Sequence, residues 1–244
     1  MINVKKFLSR TINAYKSKGI KYIVHVGFNK YILKPFLWYY YIFNKNATFS
    51  FQKEQYKYLI NKPNNTWTNE RAIEVPIVWR VFDEYKGKKI LELGNVLSHY
   101  SPITHDVVDK YEKADGVINK DIIDYHPRKK YDLIVSISTL EHIGWDERCE
   151  NDCVGEPNKT FKAINAMKKM LAPHGKMIIT FCLGYNPWLD KLVKENKLKF
   201  DKQYYLKRVS NFNKWEQVEW VDVAGIDYDA HLTAKAVVIG IIEK

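Results

Sequence analysis

The chain has 244 residues, 46% of them hydrophobic and 14% aromatic, which excludes a disordered protein and suits one α/β domain with an added segment. Its net charge of +11 points to nucleic acid or an anionic membrane, but the lysines are spread along the whole chain, which favours a solvated basic surface. The three cysteines, Cys149, Cys153 and Cys182, are too few for a disulfide framework and fit a reducing cytoplasm.

Residues 1–65 differ from the rest of the chain and form a predicted helical extension. Lysines mix with apolar residues at helical spacing, and the apolar run 31–43 contains Lys34 and Pro35. At about 13 residues, this run is too short to span a bilayer of roughly 30 Å. It suits either amphipathic helices that pack on the following domain or a segment that lies on a membrane surface through its aromatic side chains.

Residues 66–244 form a predicted second domain. Thr68 or Asn69 can cap a helix there, and Pro76 predicts that this helix is interrupted. Six strand patterns follow along the chain, and a helical pattern separates the fourth from the fifth. The predicted strands cover residues 88–93, 105–108, 116–119, 131–136, 176–181 and 234–242, and the predicted helix covers 158–171. This alternation predicts a doubly wound, mostly parallel α/β sheet whose ligands bind at the carboxyl ends of the strands.

Acidic residues recur at the ends of these strands. Glu92 lies within the first strand, Asp109 follows the second, Asp121 the third and Glu141 the fourth. Because parallel strands end at the same edge, such carboxylates can together bind ribose hydroxyls, an amino group and an adenine amine. Gly94, just past the first strand, lets the backbone approach a ligand closely.

Four stretches of the sequence, in order, resemble the class I S-adenosylmethionine-dependent methyltransferases. They are residues 90–94 (ILELG), 121–122 (DI), 131–143 (YDLIVSISTLEHI) and 171–180 (LAPHGKMIIT). The resemblance covers residues 70 to 183 and implies a seven-stranded Rossmann-like sheet with S-adenosyl-L-methionine as cofactor.

The resemblance also implies a set of cofactor-binding residues. They are Glu92 and Gly94 at the methionine part, Asp109 at the ribose, Asp121 and Ile122 at the adenine, and Ser138 beside the cofactor at the end of the fourth strand. Asp106 and Glu112 are alternatives to Asp109 as the ribose acid.

The turn after Gly94 departs from the family pattern, which usually carries further glycines at alternate positions. Val96 and Ser98 occupy those positions, and only a short segment separates Gly94 from Asp109. Either the turn takes another shape, or the cofactor binds more weakly because Val96 restricts the approach of the backbone. An inactive, methyltransferase-like binding protein therefore stays open as an alternative.

Three ionisable residues after the fourth strand are candidates for a base near the acceptor: Glu141, His142 and Asp146. Methyl transfer from a sulfonium needs alignment and exclusion of water, and a hydroxyl acceptor additionally profits from a base. His142 can accept a proton near neutral pH, or it can be a structural histidine that hydrogen-bonds a loop. Cys149 and Cys153 form a single pair, so no metal site is predicted.

The loop after the fifth strand is the candidate acceptor wall. Its Tyr185, Asn186 and Trp188 can stack on and hydrogen-bond a sugar ring, or they can cap the core. The favoured hypothesis is a cytoplasmic O-methyltransferase that acts on a saccharide, such as a surface polysaccharide, or on another small-molecule hydroxyl. The extension is a candidate for peripheral contact with the inner face of the membrane.

An RNA methyltransferase is the second enzymatic alternative, suggested by the positive charge. The sequence holds no recognisable RNA-binding module or concentrated basic stripe, so no specific nucleic acid partner is expected.

Overall fold

The computed structural model describes residue 16 and residues 19–62, 64–145, 155–228 and 233–244. Residues 19–28 are helical, and a π-helical turn, Asn29–Leu33, follows them. The remaining α-helices are α1 (Lys34–Phe43), α2 (Arg71–Glu84), α3 (Lys159–Met170), α4 (Pro187–Lys194) and α5 (Trp220–Val223). The strands are β1 (Thr48–Phe51), β2 (Glu54–Lys57), β3 (Ile90–Leu93), β4 (Asp106–Val108), β5 (Val117–Ile118), β6 (Tyr131–Ile137), β7 (Leu171–Cys182), β8 (Lys202–Arg208), β9 (Trp215–Val218) and β10 (Ala236–Glu243).

The main sheet has eight strands in the order β5-β4-β3-β6-β7-β10-β8-β9. Strands β3 to β7 are parallel, and β10 runs antiparallel to both of its neighbours. The chain builds outward from β3 to β5 and then returns to place β6 on the other side of β3. Ligands bind at such a reversal of strand order, outside the carboxyl ends of the strands. The predicted Rossmann-like α/β fold is confirmed, with one strand more than the expected seven.

Helices cover both faces of this sheet. Side chains alternate between the two faces along each strand, and the apolar ones on both faces need a covering layer. Along β6, Leu133 and Val135 share a core with Ile73 of α2, whereas Ile134 packs into a second core with Ile164 of α3. All five are completely buried. The parallel strands are therefore apolar on both faces, which is why their sequence signal is strong.

Helix α2 runs without interruption through Pro76, so the predicted break is wrong. A proline inside a helix normally leaves the carbonyl four residues earlier without its donor. Here the Ala72 carbonyl accepts a hydrogen bond from the Leu59 N–H at 3.0 Å. The extension thus supplies the donor that proline removes. At the start of the helix, Asn69 Oδ1 accepts a hydrogen bond from the Arg71 N–H at 3.1 Å.

The extension contains a β-hairpin, β1-β2, in addition to the predicted helices. Its helical part packs on the domain: Tyr41 donates a hydrogen bond from its hydroxyl to the Phe212 carbonyl at 2.7 Å, and Trp67 donates from its indole to the Lys34 carbonyl at 3.2 Å. Within the described ranges, no helix combines the length and apolar character needed to cross a bilayer.

Gly94 is required by the close approach of two turns. Its φ is +84°, and a Cβ on it would lie 2.1 Å from the Thr139 Oγ1 atom. Thr139 follows β6, so the turns after β3 and β6 touch at the point where the strand order reverses. Gly87 has a similar φ of +80° but nothing within 4 Å of the same position.

We expect Gly94→Ala to lower the free energy of unfolding more than Gly87→Ala. Both variants place alanine at positive φ, which costs about 1–2 kcal/mol. Gly94→Ala must also displace Thr139, which adds about 1–3 kcal/mol of overpacking. Urea unfolding of the two variants measures the difference, and equal losses would contradict this role of Gly94.

Candidate functional site

A cleft of about 510 Å³ opens at the carboxyl ends of β3, β4, β5 and β6, where the strand order reverses. Its volume is that of an ordinary small-molecule site. The cleft is lined by Leu93, Asp109, Lys110, Tyr111, Glu112, Lys120, Asp121, Ile122, Ser138, Thr139, His142 and Ile143. Five residues predicted from the sequence are therefore brought together here: Asp109, Asp121, Ile122, Ser138 and His142.

Glu92 lies beneath the turn after β3 and does not line the cleft. Its Oε1 accepts hydrogen bonds from the N–H groups of Val96 and Leu97, both at 2.8 Å. Its Oε2 lies 2.7 Å from His105 Nε2, and both side chains are buried. The carboxylate thus satisfies the backbone of a turn that lacks the usual glycines. Val96 packs on the core beside α2 and leaves the cleft open.

Asp109 and Glu112 are the candidate ribose acids that reach the cleft. Asp109 Oδ1 accepts hydrogen bonds from the N–H groups of Tyr111 and Glu112, at 2.8 and 2.7 Å, which fixes the direction of its carboxylate. Asp106 lies outside the cleft wall, where its Oδ2 accepts a hydrogen bond from the Tyr131 hydroxyl and pairs with Lys129.

Asp121 and Ile122 form the side of the cleft after β5. The Asp121 Oδ1 accepts a hydrogen bond from the Ile123 N–H, and its Oδ2 lies 3.0 Å from Lys159 Nζ and 3.2 Å from Lys110 Nζ. Burial alone would raise the pKa of Asp121, but the Ile123 N–H and the two ammonium groups together hold it below its ordinary value. Ile122 is buried and offers an apolar surface.

Ser138 connects the cleft to a buried carboxylate behind it. Its φ is +37°, an uncommon value for serine, at the point where β6 ends. The Ser138 hydroxyl and the Thr180 hydroxyl each donate to Glu74 Oε1 at 2.7 Å, and Arg71 Nη1 lies 2.6 Å from Glu74 Oε2. Burial raises the pKa of Glu74 despite these partners.

The candidate catalytic residues take different positions. His142 is exposed in the cleft wall, and its ring centroid lies 4.8 Å from that of Tyr185. Glu141 is only 2% exposed and accepts a hydrogen bond from the Cys182 N–H at 3.3 Å. Burial raises the pKa of Glu141 to about 7. Asp146 lies outside the described residues.

Asn186 is a structural cap in this arrangement. It is completely buried, and its Oδ1 accepts hydrogen bonds from the N–H groups of Trp188 and Leu189, at 3.0 and 3.1 Å. Its Nδ2 donates to the Glu141 carbonyl at 3.0 Å, which ties the start of α4 to the loop after β6. The Trp188 ring packs edge-on against Trp145, with centroids 5.2 Å apart. Of the predicted acceptor wall, Tyr185 packs against a cleft residue, His142.

Glu74 was not among the sequence-predicted site residues. It is a charged residue between Ile73 and Val75 on a helix whose neighbouring residues are buried and apolar. A carboxylate in such a position is a recognisable signal, because charged side chains are almost never fully buried without partners. The partners themselves, Ser138 and Thr180, lie 64 and 106 residues away and could not be identified from spacing.

No protein-family model matches this chain, and no curated protein matches it. The chain is similar to the solved N-methyltransferase NodS of Bradyrhizobium japonicum bound to S-adenosylhomocysteine (12% identity, 69% of this chain and 84% of that one, TM-score 0.42). It is also similar to a SAM-dependent methyltransferase from Archaeoglobus fulgidus (16% identity, 69% and 91%, TM-score 0.41). At these identities and TM-scores, the similarity does not identify the activity of this chain.

We expect Glu141→Gln to change how stability depends on pH. Because the folded pKa of about 7 exceeds the ordinary 4.5, the protonated carboxyl favours the fold. This contribution is fully present below about pH 4.5 and is lost as the pH rises through about 7, by an amount on the order of 3 kcal/mol. Glu141→Gln should therefore be the more stable protein at pH 8, and the difference should shrink at pH 5.

Urea unfolding between pH 5 and 8 measures this difference, with Glu216→Gln as the control at an exposed glutamate. If the Glu141→Gln profile runs parallel to that of the wild type, Glu141 does not titrate in this range.

Proposed function

We propose that this chain is an S-adenosylmethionine-dependent methyltransferase that methylates a hydroxyl of a saccharide or another small molecule. The observation that carries the proposal is the cleft at the reversal of strand order, with two carboxylates, Asp109 and Glu112, at the end of β4. Dinucleotides and related nucleosides bind at this position in sheets of this topology. The donor set also fits, since a nucleoside needs acceptors for its ribose hydroxyls and an apolar surface for its base.

Different cleft residues would bind different parts of the cofactor. Asp109 and Glu112 would accept hydrogen bonds from the two ribose hydroxyls, and Ile122 would pack on the adenine. The cofactor supplies an electrophilic methyl group on a sulfonium. The protein must orient the acceptor oxygen in line with that group and exclude water. His142, in the cleft wall, is positioned to take the proton of the acceptor hydroxyl.

Glu141 and Tyr185 would support His142 in this role. The Tyr185 ring packs against the imidazole and limits its orientations. The charges of Glu141 and His142 act on each other, so an ionised Glu141 would stabilise the imidazolium that forms when His142 takes a proton.

We expect Asp109→Asn to weaken the binding of S-adenosylhomocysteine roughly tenfold, because a charged acceptor of the ribose hydroxyls is lost while the turn keeps its Oδ1 acceptor. Asp106→Asn is the matched control: it makes the same chemical change at the first residue of β4, which lies outside the cleft. Calorimetric titration of the three proteins measures the effect.

A wild-type protein that does not bind S-adenosylhomocysteine would remove the proposal. Binding without methyl transfer to any acceptor would favour the inactive alternative, and steeply salt-dependent RNA retention would favour an RNA methyltransferase.

We further propose that the extension rests on the cytoplasmic face of an anionic membrane. Eight large apolar side chains at helical spacing share high exposure, from 49 to 84%. They are Ile20, Val24, Phe28, Tyr31, Ile32, Phe36, Tyr39 and Phe43. Exposed Lys21 and Lys30 lie among them, and the whole chain carries a charge of +11. An exposed apolar row that is rich in aromatic residues and flanked by lysine is typical of a helix at a lipid interface.

Replacing Phe36 and Phe43 together by aspartate should weaken binding to phosphatidylglycerol-containing vesicles by roughly tenfold or more, because each exposed phenylalanine can bury its ring among the acyl chains. Val221→Asp is the control, since Val221 is 80% exposed on α5, outside the extension. Cosedimentation compares the variants. Equal binding of all three proteins, or binding that does not depend on anionic lipid, would contradict the proposal.

A further inference from the structure

Three glutamates and one arginine meet behind the cleft, where α2 begins. We call them the glutamate cluster: Glu70, Arg71, Glu74 and Glu141. Arg71 pairs with Glu74, and the charges of Glu70 and Glu141 also act on the guanidinium. The cluster holds three acidic groups and one basic group, and the charge of a second guanidinium, that of Arg208, acts on Glu70 from outside the cluster. With three carboxyls against two guanidinium groups, the surroundings still carry excess negative charge whenever the carboxyls are ionised.

Two oxygens of the cluster have no hydrogen-bond partner among the described residues. They are Oε2 of Glu70 and Oε2 of Glu141, both of which are buried. Glu141 is only 2% exposed as a residue, so bulk water does not readily supply the missing donor. Glu74, in contrast, accepts bonds from three side chains. Buried polar atoms nearly always have partners, and an orphaned carboxylate oxygen points to a donor that a ligand would bring.

Aromatic rings connect the cluster to the cofactor cleft. His142 lines the cleft, its ring packs edge-on against Tyr185, and Tyr185 packs edge-on against Tyr228, with centroids 4.8 Å apart in each pair. Tyr228 in turn lies within the electrostatic reach of Glu70 and Glu141. A molecule that reaches from the cleft to the cluster would therefore pass along tyrosine rings, whose faces attract cations.

The chemistry of these groups selects the ligand. Two orphaned acceptors and excess negative charge disfavour a phosphate or a carboxylate. A single hydroxyl brings one donor and no charge. An ammonium group brings three donors and a positive charge, and it suits both the carboxylates and the tyrosine rings.

We propose that the acceptor carries a primary amino group, which binds as an ammonium between Glu70 and Glu141. This inference rests on the proposed function and narrows its acceptor to an amino-bearing saccharide or similar small molecule. The amino group serves recognition: its binding at the cluster would hold the rest of the acceptor toward His142.

The test uses the whole protein saturated with S-adenosylhomocysteine. Hexosamines with the amino group at each ring position in turn are titrated calorimetrically, beside their N-acetyl derivatives and the parent neutral sugars. Acetylation keeps the ring but removes the charge and two donors. At least one free hexosamine should bind at least tenfold more tightly than its N-acetyl derivative and its parent sugar.

Glu70→Gln and Glu141→Gln should each reduce this preference at least threefold, and Glu216→Gln, at an exposed site far along the chain, should leave it unchanged. Equal binding of free and acetylated sugars, tighter binding of the acetylated form, or no binding of any amine to protein that does bind S-adenosylhomocysteine would overturn the inference. Should S-adenosylhomocysteine itself fail to bind, the proposed function fails instead. If a variant does not fold, the inference is still tested by the wild-type protein, on which the affinities of free, N-acetylated and neutral sugars are compared.

Discussion

The buried carboxylate of Glu74 is the interaction on which the geometry of the site depends. A carboxylate that loses its water must regain equivalent hydrogen bonds inside the protein, or the fold loses several kcal/mol. Glu74 regains them from Ser138 at the end of β6, Thr180 within β7 and Arg71 on its own helix. Because these donors belong to three separate elements, one acid fixes the position of α2 over the carboxyl ends of the two central strands.

A second buried carboxylate, that of Glu92, stabilises the turn after β3, on the other side of the strand reversal. A glycine-rich turn can present its own amides to a ligand, whereas the turn after Gly94 directs two amides inward to Glu92. The Glu92 carboxylate is in turn held by His105. The turn therefore keeps a defined shape without further glycines, and the cleft remains open although Val96 stands where a glycine was expected. If the proposed function holds, recognition of the nucleoside would fall on the side chains after β4 and β5 more than on the backbone after β3.

The sequence predicted the parallel strands well and the outer ones poorly, for a physical reason. Strands such as β6 are buried on both faces and appear as unbroken apolar runs, whereas β8 and the hairpin β1-β2 mix exposed polar residues with a few buried ones. Pro76 was misjudged because the donor that replaces its missing N–H comes from Leu59, a contact that local patterns do not contain. The acids at the strand ends were predicted because the topology of a parallel sheet brings them to one edge. Glu92 and Asn186 show, however, that a polar residue after a strand can instead accept hydrogen bonds from nearby backbone N–H groups.

The two halves of the site are coupled through Ser138 and Glu141. Ser138 lines the cleft and also donates to Glu74, so a change at this residue acts on the cleft and on the glutamate cluster together. Burial raises the pKa of Glu141 to about 7, and the cluster is less negative when this carboxyl is protonated. An ammonium beside Glu141 favours the ionised carboxylate, so the arrival of such a group near neutral pH releases a proton from this residue.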